Sequence, residues 1–121
     1  MRALRLDHVQ LAIPAGGEEQ AIPFYEGLLG IKHVPKPPHL AQRGGCWFED
    51  GDLKVHLGVD ATFHPAGKAH PAFVVDDVRQ LAERIATAGH RVSDDEPLDG
   101  YDRPYTYDPF GNRVELMQPL A

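Results

Sequence analysis

An internal repeat is the feature that most constrains the fold, because one order of elements occurs twice within 121 residues. Each copy starts with an alternating apolar strand, continues with a helical pattern, and ends with further strand-like segments. We therefore predict an α+β fold in one domain, with a first module at about residues 1–60, a linker at 61–69 and a second module at about 70–121. A chain of this length suits one domain with one core.

Two segments carry apolar residues at helical spacing. Residues 16–30 form the first, with Pro23 expected near its first turn, where a proline is tolerated. Residues 76–90 form the second, with Asp76 or Asp77 as its N-cap. Each predicted helix follows the first strand of its module, so both modules share one strand–helix order.

Turn residues mark where the remaining strands reverse direction. Asp50 and Gly51 lie between GCWFE and LKVHLGV, and an Asp-Gly pair between apolar runs favours a β-hairpin. In the second module, DPFGN at 108–112 separates YTY from RVELMQ, and its proline and glycine are typical of a turn. Each module is therefore expected to end in a pair of strands.

Four residues of the metal-ligand type occupy matched positions in the two modules. His8 and His70 belong to the first strands and lie 62 positions apart, whereas His56 and Glu115 lie on the last strands, 59 positions apart. Each is out of phase with the apolar residues of its strand and so points to the opposite face. Taken singly, each is most often a structural or solvated residue. Together, inside one curved sheet, they would need a shared partner, and a divalent cation satisfies all four.

Five segments resemble the vicinal oxygen chelate superfamily, which includes glyoxalase I, fosfomycin-resistance proteins, extradiol dioxygenases, methylmalonyl-CoA epimerase and bleomycin-resistance proteins. They are LDHVQLAI, FYEGLLGIK, KVHLGV, AHPAFVVDDV and YDPFGNRVELMQ. Within the last, DPFGNRVEL resembles the superfamily motif DP-x-G-N-x-x-E-L. The resemblance implies paired βαβββ modules forming a cupped mixed sheet, a homodimer, and metal ligands at His8, His56, His70 and Glu115.

His56 departs from the bacterial type of glyoxalase I, which has a glutamate at the matching position. Fosfomycin-resistance enzymes and extradiol dioxygenases use two histidines and one glutamate, which match His8, His70 and Glu115 in this chain. His56 is then either a fourth ligand or a general base. The resemblance thus makes His56 and Glu115 the predicted catalytic residues.

Two functional hypotheses follow. The first is a metal-dependent enzyme that acts on a small substrate with two neighbouring oxygen atoms, with zinc, nickel, manganese or iron as Lewis acid in isomerase, lyase, thiol-transfer or dioxygenase chemistry. The second is a non-catalytic, antibiotic-type binding protein of the bleomycin-resistance kind. Aromatic residues and one cation are predicted to bind the small molecule: Trp47, Tyr101, Tyr105 and Arg103.

Charge and composition argue against other classes of function. The net charge is −6 and the lysines and arginines are dispersed, which disfavours nucleic-acid binding. No apolar run reaches the roughly 20 residues of a membrane span, and the first residues lack the features of a signal peptide. Cys46 is the one cysteine, which suits the reducing cytoplasm. The sequence also lacks a P-loop and a dinucleotide-binding glycine motif.

Overall fold

The computed structural model describes residues 1–121 and confirms the predicted α+β fold class. The chain divides into two compact units, Met1–His64 and Pro65–Ala121. Each unit contains one mixed sheet, in which the first and last strands of the unit are parallel neighbours. None of the helices has the length and apolar character needed to cross a membrane.

The first unit has four strands and two short α-helices. Across its sheet the strand order is β1-β4-β3-β2, with β1 parallel to β4 and the other neighbours antiparallel. The hairpin predicted from the Asp-Gly pair is formed by β3 and β4. The elements are β1 (Val9–Ile13), α1 (Glu18–Ile22), β2 (His33–Val34), α2 (Pro38–Ala41), β3 (Cys46–Asp50) and β4 (Leu53–Val59).

Alternation along the strands places one face of this sheet in the core. Val55 and Leu57 of β4 and Phe48 of β3 are fully buried. Tyr25, from the helical segment, contacts Phe48 with 5.4 Å between the ring centroids. Burial of each such side chain contributes about 1.5–3 kcal/mol. Since neighbouring residues of a strand point to opposite faces, His56 of β4 lies on the face away from this core.

The helix predicted over residues 16–30 is shorter than expected. Helix α1 ends at Ile22, and Pro23–Leu28 continues as a π-helical turn, so Pro23 lies after α1 instead of in its first turn. A proline has no N–H to donate to the carbonyl four residues earlier, which ends the α-helical pattern. The wider turn then closes with a hydrogen bond from the N–H of Leu29 to the carbonyl of Phe24, at 3.0 Å.

The second unit has five strands and one helix. Its sheet has the order β5-β9-β8-β6, and β7 pairs with β9 outside this path. Strands β5 and β9 are parallel, and β9 is antiparallel to both β8 and β7. The elements are β5 (Ala72–Val74), α3 (Val78–Thr87), β6 (Val92–Ser93), β7 (Tyr101–Asp102), β8 (Tyr105–Tyr107) and β9 (Arg113–Pro119).

Helix α3 begins and ends close to the predicted positions. Its N-cap is Asp77, whose side chain accepts a hydrogen bond from the backbone N–H of Gln80 at 3.1 Å. This bond satisfies one of the free N–H groups of the first turn. Val78 and Ile85 form part of its buried apolar stripe, as the helical spacing predicts.

The turn between β8 and β9 is organised by one buried carboxylate. Asp108 accepts hydrogen bonds from the backbone N–H groups of Phe110 at 3.0 Å and Asn112 at 2.8 Å. The side-chain amide of Asn112 donates to its other oxygen at 2.9 Å. Gly111 has φ +91°, a left-handed conformation that side chains rarely adopt. The hydrogen bonds of Asp108 and the conformation of Gly111 therefore account for the residue types of the DPFGN segment.

Candidate functional site

In the first unit, His56 lies between two aromatic rings on the outer face of β4. Trp47 of β3 is its direct cross-strand neighbour, and the two rings stack with centroids 3.9 Å apart and planes 4° apart. The ring of His8 stacks on it as well, at 4.3 Å and 22°. His56 is only 6% exposed, so these rings hold its imidazole in one position.

A carboxylate that the sequence analysis did not identify completes this arrangement. Glu49 Oε2 lies 2.8 Å from His56 Nε2. A carboxylate can only accept here, so Nε2 donates and Nδ1 of a neutral imidazole keeps the lone pair. Glu49 lies two residues after Trp47 and so shares its face of β3. We refer to His8, Trp47, Glu49 and His56 as the His56 cluster.

His8 is oriented by its neighbour in the sequence. It precedes β1 rather than lying within it, and its side chain is 41% exposed. Its Nδ1 lies 3.0 Å from Asp7 Oδ2 and donates to that carboxylate, which leaves Nε2 with the lone pair. This hydrogen bond, with the nearby charge of Lys54, lowers the pKa of Asp7. The arrangement of carboxylate and histidine is the one that usually orients a metal-binding imidazole.

In the second unit, His70 and Glu115 contact each other directly, and we refer to them as the His70–Glu115 pair. His70 Nε2 lies 3.0 Å from Glu115 Oε1, while His70 Nδ1 lies 2.8 Å from the carbonyl oxygen of Lys68. The carbonyl only accepts, so Nδ1 carries a proton. In a neutral imidazole, Nε2 would then be an acceptor that faces a carboxylate oxygen. A proton or a cation shared between Nε2 and Oε1 would satisfy both atoms.

Two further side chains hold the Glu115 carboxylate, which is itself buried. Arg103 Nη1 donates to Oε2 at 3.2 Å, and the Tyr105 hydroxyl donates to Oε1 at 3.3 Å. Burial raises the pKa of Tyr105, and the neighbouring carboxylates of Asp95 and Glu115 act in the same direction. Arg103 also donates to the carbonyl of Glu96 at 2.7 Å. Both residues therefore position Glu115, and their predicted contact with a substrate stays a prediction.

The remaining aromatic candidates lie in different surroundings. Tyr101 of β7 is 39% exposed and pairs through its backbone with Pro119. The ring of Tyr105 is covered by the guanidinium of Arg113, whose Cζ lies 3.8 Å from the ring centroid. Trp47 belongs to the His56 cluster. Their role in binding a small molecule stays a prediction.

The metal-ligand candidates thus occur as a pair in each unit. In neither unit do three His, Cys, Asp or Glu side chains form a group that could hold a metal ion by itself. The four-residue metal site expected from the sequence therefore stays a prediction.

Cys46 of β3 belongs to the core of the first unit. It is buried and forms no disulfide. Burial raises the pKa of its thiol to about 11. At neutral pH the thiol is therefore protonated, and Cys46 is not an activated nucleophile.

Known proteins share both the sequence pattern and the fold. Residues 5–116 match the sequence model of the Glyoxalase/Bleomycin resistance protein/Dioxygenase superfamily. A glyoxalase family protein from Bacillus anthracis is 43% identical, with a TM-score of 0.90 over 99% of this chain and 100% of that one. No curated protein matches the chain in sequence.

Two less similar crystal structures share the fold. The fosfomycin resistance protein FosX from Listeria monocytogenes is 17% identical, with a TM-score of 0.76 over 98% of this chain and 96% of that one. TnmS3, an antibiotic binding protein from a Streptomyces species, is 23% identical, with a TM-score of 0.72 over 98% of this chain and 100% of that one. The match over residues 5–116 and the 43% identity to the Bacillus anthracis protein show that this chain belongs to the Glyoxalase/Bleomycin resistance protein/Dioxygenase superfamily.

Proposed function

We propose that this protein is a metal-dependent enzyme that acts on a small, oxygen-chelating substrate. The contact between His70 Nε2 and Glu115 Oε1 carries this proposal. Two acceptor atoms face each other at 3.0 Å, because the other ring nitrogen of His70 is committed to the Lys68 carbonyl. A divalent cation binds both an imidazole nitrogen and a carboxylate oxygen, whereas a shared proton would make this contact an ordinary ion pair, and metal analysis distinguishes the two.

The surrounding contacts support Glu115 and His70 as ligands. Arg103 and Tyr105 fix the Glu115 carboxylate, and the Lys68 carbonyl fixes the imidazole ring. Such outer contacts orient ligands and set the tautomer of a histidine in known metal sites. Ligands held in this way lose little conformational freedom when an ion binds.

His8 is the third proposed ligand. Asp7 holds its Nδ1 and leaves Nε2 available, which is the same division of roles as in His70. Two neutral imidazoles and one carboxylate suit zinc, nickel, manganese or iron, and leave a divalent ion with a net positive charge. That charge favours an anionic or enolising substrate. A bound ion supplies Lewis acidity to two neighbouring oxygen atoms of the substrate.

We assign His56 the role of general base. Its Nε2 is bound to Glu49, so Nδ1 is the atom that accepts a substrate proton. Glu49 then stabilises the imidazolium, and the Trp47 and His8 rings keep the imidazole oriented. Isomerisation, lyase chemistry and thiol addition use such a proton transfer, whereas dioxygenation also consumes molecular oxygen, so substrate assays with and without oxygen distinguish these reactions.

Metal analysis of the purified protein tests the proposal directly. Protein prepared without chelators is expected to contain about one equivalent of transition metal per chain by elemental analysis. After removal of the metal, adding back the correct ion at one hundred times its Kd stabilises the fold by about 2.7 kcal/mol, which raises the melting temperature by several degrees. Zinc, nickel, manganese and ferrous iron are compared.

Variants separate the ligands from the base. His70→Ala and Glu115→Gln should lose the metal, while His64→Ala, at an exposed loop histidine, should retain it. His56→Gln should also retain the metal, and loss of metal from this variant would make His56 a fourth ligand instead. If the wild type shows no thermal shift with any of the ions, the enzyme proposal fails and the non-catalytic binding function is favoured.

We also propose a homodimer and a cytoplasmic location. Members of the superfamily often form dimers, and light scattering after gel filtration measures the mass of this protein in solution. The single, free Cys46 is compatible with a reducing compartment. Fluorescent tagging in cells tests the location.

A further inference from the structure

The first unit contains a cavity of about 260 Å³ on the same face of the sheet as the His56 cluster. Its volume falls just below the range of about 300–1,000 Å³ that is typical of ligand pockets, so it fits a small molecule or one end of a larger one. The residues that define its chemistry are Gln10, Lys36, Leu40, Arg43, Trp47 and Gly58.

The polar lining of this cavity is cationic. Lys36 and Arg43 both line it, and no aspartate or glutamate does. Lys36 Nζ donates to the carbonyl of Gly44, which uses one of the three donors of the ammonium group. Glu18 lies beside the lining residue Gly44, and its Oε1 accepts from the N–H of Gly45 at 2.9 Å. The cavity therefore offers free cationic donors without a neutralising carboxylate in its lining.

The remaining lining is apolar or amide in character. Trp47 and Leu40 supply apolar surface, and Gln10 supplies a side-chain amide. Gly58 makes room for that amide, because a Cβ added there would lie 2.8 Å from Gln10 Nε2. Trp47 also stacks on His56, so one residue of the cavity wall contacts the imidazole directly.

We infer that this cavity binds a small organic acid through its carboxylate, phosphonate or phosphate group. Lys36 and Arg43 contact the anionic oxygens, and Leu40 and Trp47 pack against the apolar part of the molecule. That this acid is the substrate rests on the proposed function, whereas the binding itself does not.

Fluorescence gives a direct measurement, because Trp47 is the single tryptophan of the chain. Phenylphosphonate, which combines a dianionic group with a flat apolar ring, is titrated into the whole protein in the presence of EDTA. We expect a saturable change in Trp47 emission. The uncharged dimethyl ester of phenylphosphonate should bind at least about tenfold more weakly, since a charge-assisted hydrogen bond contributes about one order of magnitude or more.

Charge variants test where the anion binds. Lys36→Met and Arg43→Met should each weaken phenylphosphonate binding about tenfold. Lys32→Met is the matched control, because Lys32 is an exposed lysine of the same unit that does not line the cavity, and its affinity should stay within about twofold. Lys36→Arg keeps the positive charge and should keep most of the affinity, which separates loss of charge from damage to the Gly44 contact.

Two results would overturn the inference. One is the absence of saturable binding of phenylphosphonate to the folded wild-type protein. The other is equal weakening by Lys32→Met and Lys36→Met, which would indicate diffuse attraction by the surface. Because the titration is done without metal, failure here leaves the metal analysis intact, and a failed metal analysis leaves this measurement intact.

Discussion

Substitution of Asp108 tests directly how the β8–β9 turn is stabilised. Its buried carboxylate accepts from Phe110 N, Asn112 N and Asn112 Nδ2, at 3.0, 2.8 and 2.9 Å. Asp108→Ala removes both acceptor oxygens and with them all three hydrogen bonds. Each buried donor that loses its acceptor lowers the free energy of unfolding by about 1–3 kcal/mol. The Phe110 N–H is partly exposed to water, so its loss contributes at the low end of this range. We expect the free energy of unfolding to fall by about 3–5 kcal/mol, a large fraction of the total for most domains.

Urea denaturation followed by far-UV circular dichroism measures this loss. With a slope of roughly 2 kcal/mol per molar urea, the midpoint should fall by about 2 M while the slope stays constant. Asp108→Asn keeps an acceptor for the two backbone N–H groups and should lose about half as much.

Asp50 is the matched control for this experiment. It is an exposed aspartate at the other hairpin, and Asp50→Ala should change the free energy of unfolding by no more than about 0.5 kcal/mol. If Asp108→Ala destabilises the protein no more than Asp50→Ala, the turn does not depend on this carboxylate and our explanation of the DPFGN segment is wrong.

Two further predictions concern ionisable groups. Because the pKa of Cys46 is raised to about 11, alkylation by iodoacetamide at pH 8 should be about a hundredfold slower in the folded protein than in the urea-unfolded one, and equal rates would contradict its burial. Asp102 accepts from Arg79 Nε at 2.8 Å, and this contact lowers its pKa. A lowered pKa stabilises the fold above the unfolded value of about 3.9, and this stabilisation is lost as the pH falls through the folded value. Asp102→Asn should therefore lower the melting temperature more at pH 7 than at pH 2, and an equal difference at both would refute the assignment.

Local signals in the sequence predicted much of the fold. The N-cap of α3 depends on Asp77 and the turn after β8 depends on Asp108, and each residue bonds to a partner no more than four positions away. Such contacts follow from residue type and spacing alone. The π-helical turn Pro23–Leu28 could not be predicted in this way. A helix can continue past a proline in several conformations, and tertiary packing selects one of them.

The surroundings of the candidate ligands were harder to predict, because they depend on long-range contacts. Arg103 was predicted to bind the small molecule, and in the structure it donates a hydrogen bond to the carboxylate of Glu115. A cation in a loop can pair with any nearby acid, and the sequence does not state which acid the fold brings close. The sequence supplied the chemical type of each residue, whereas the tertiary structure supplied the partners.

The register of the β3–β4 hairpin explains why Glu49 could not be assigned to His56 from the sequence. A two-residue loop made of Asp50 and Gly51 is the usual form of an Asp-Gly hairpin, and it would set Trp47 opposite Lys54. In the structure Asp50 instead pairs with Leu53, which makes Gly51 and Asp52 the loop and sets Trp47 opposite His56. Glu49 then lies diagonally across from His56 on the same face, within reach of a long side chain. A shift of one residue in the turn thus decides whether the imidazole has a carboxylate partner, and with it which ring nitrogen is left to accept a proton.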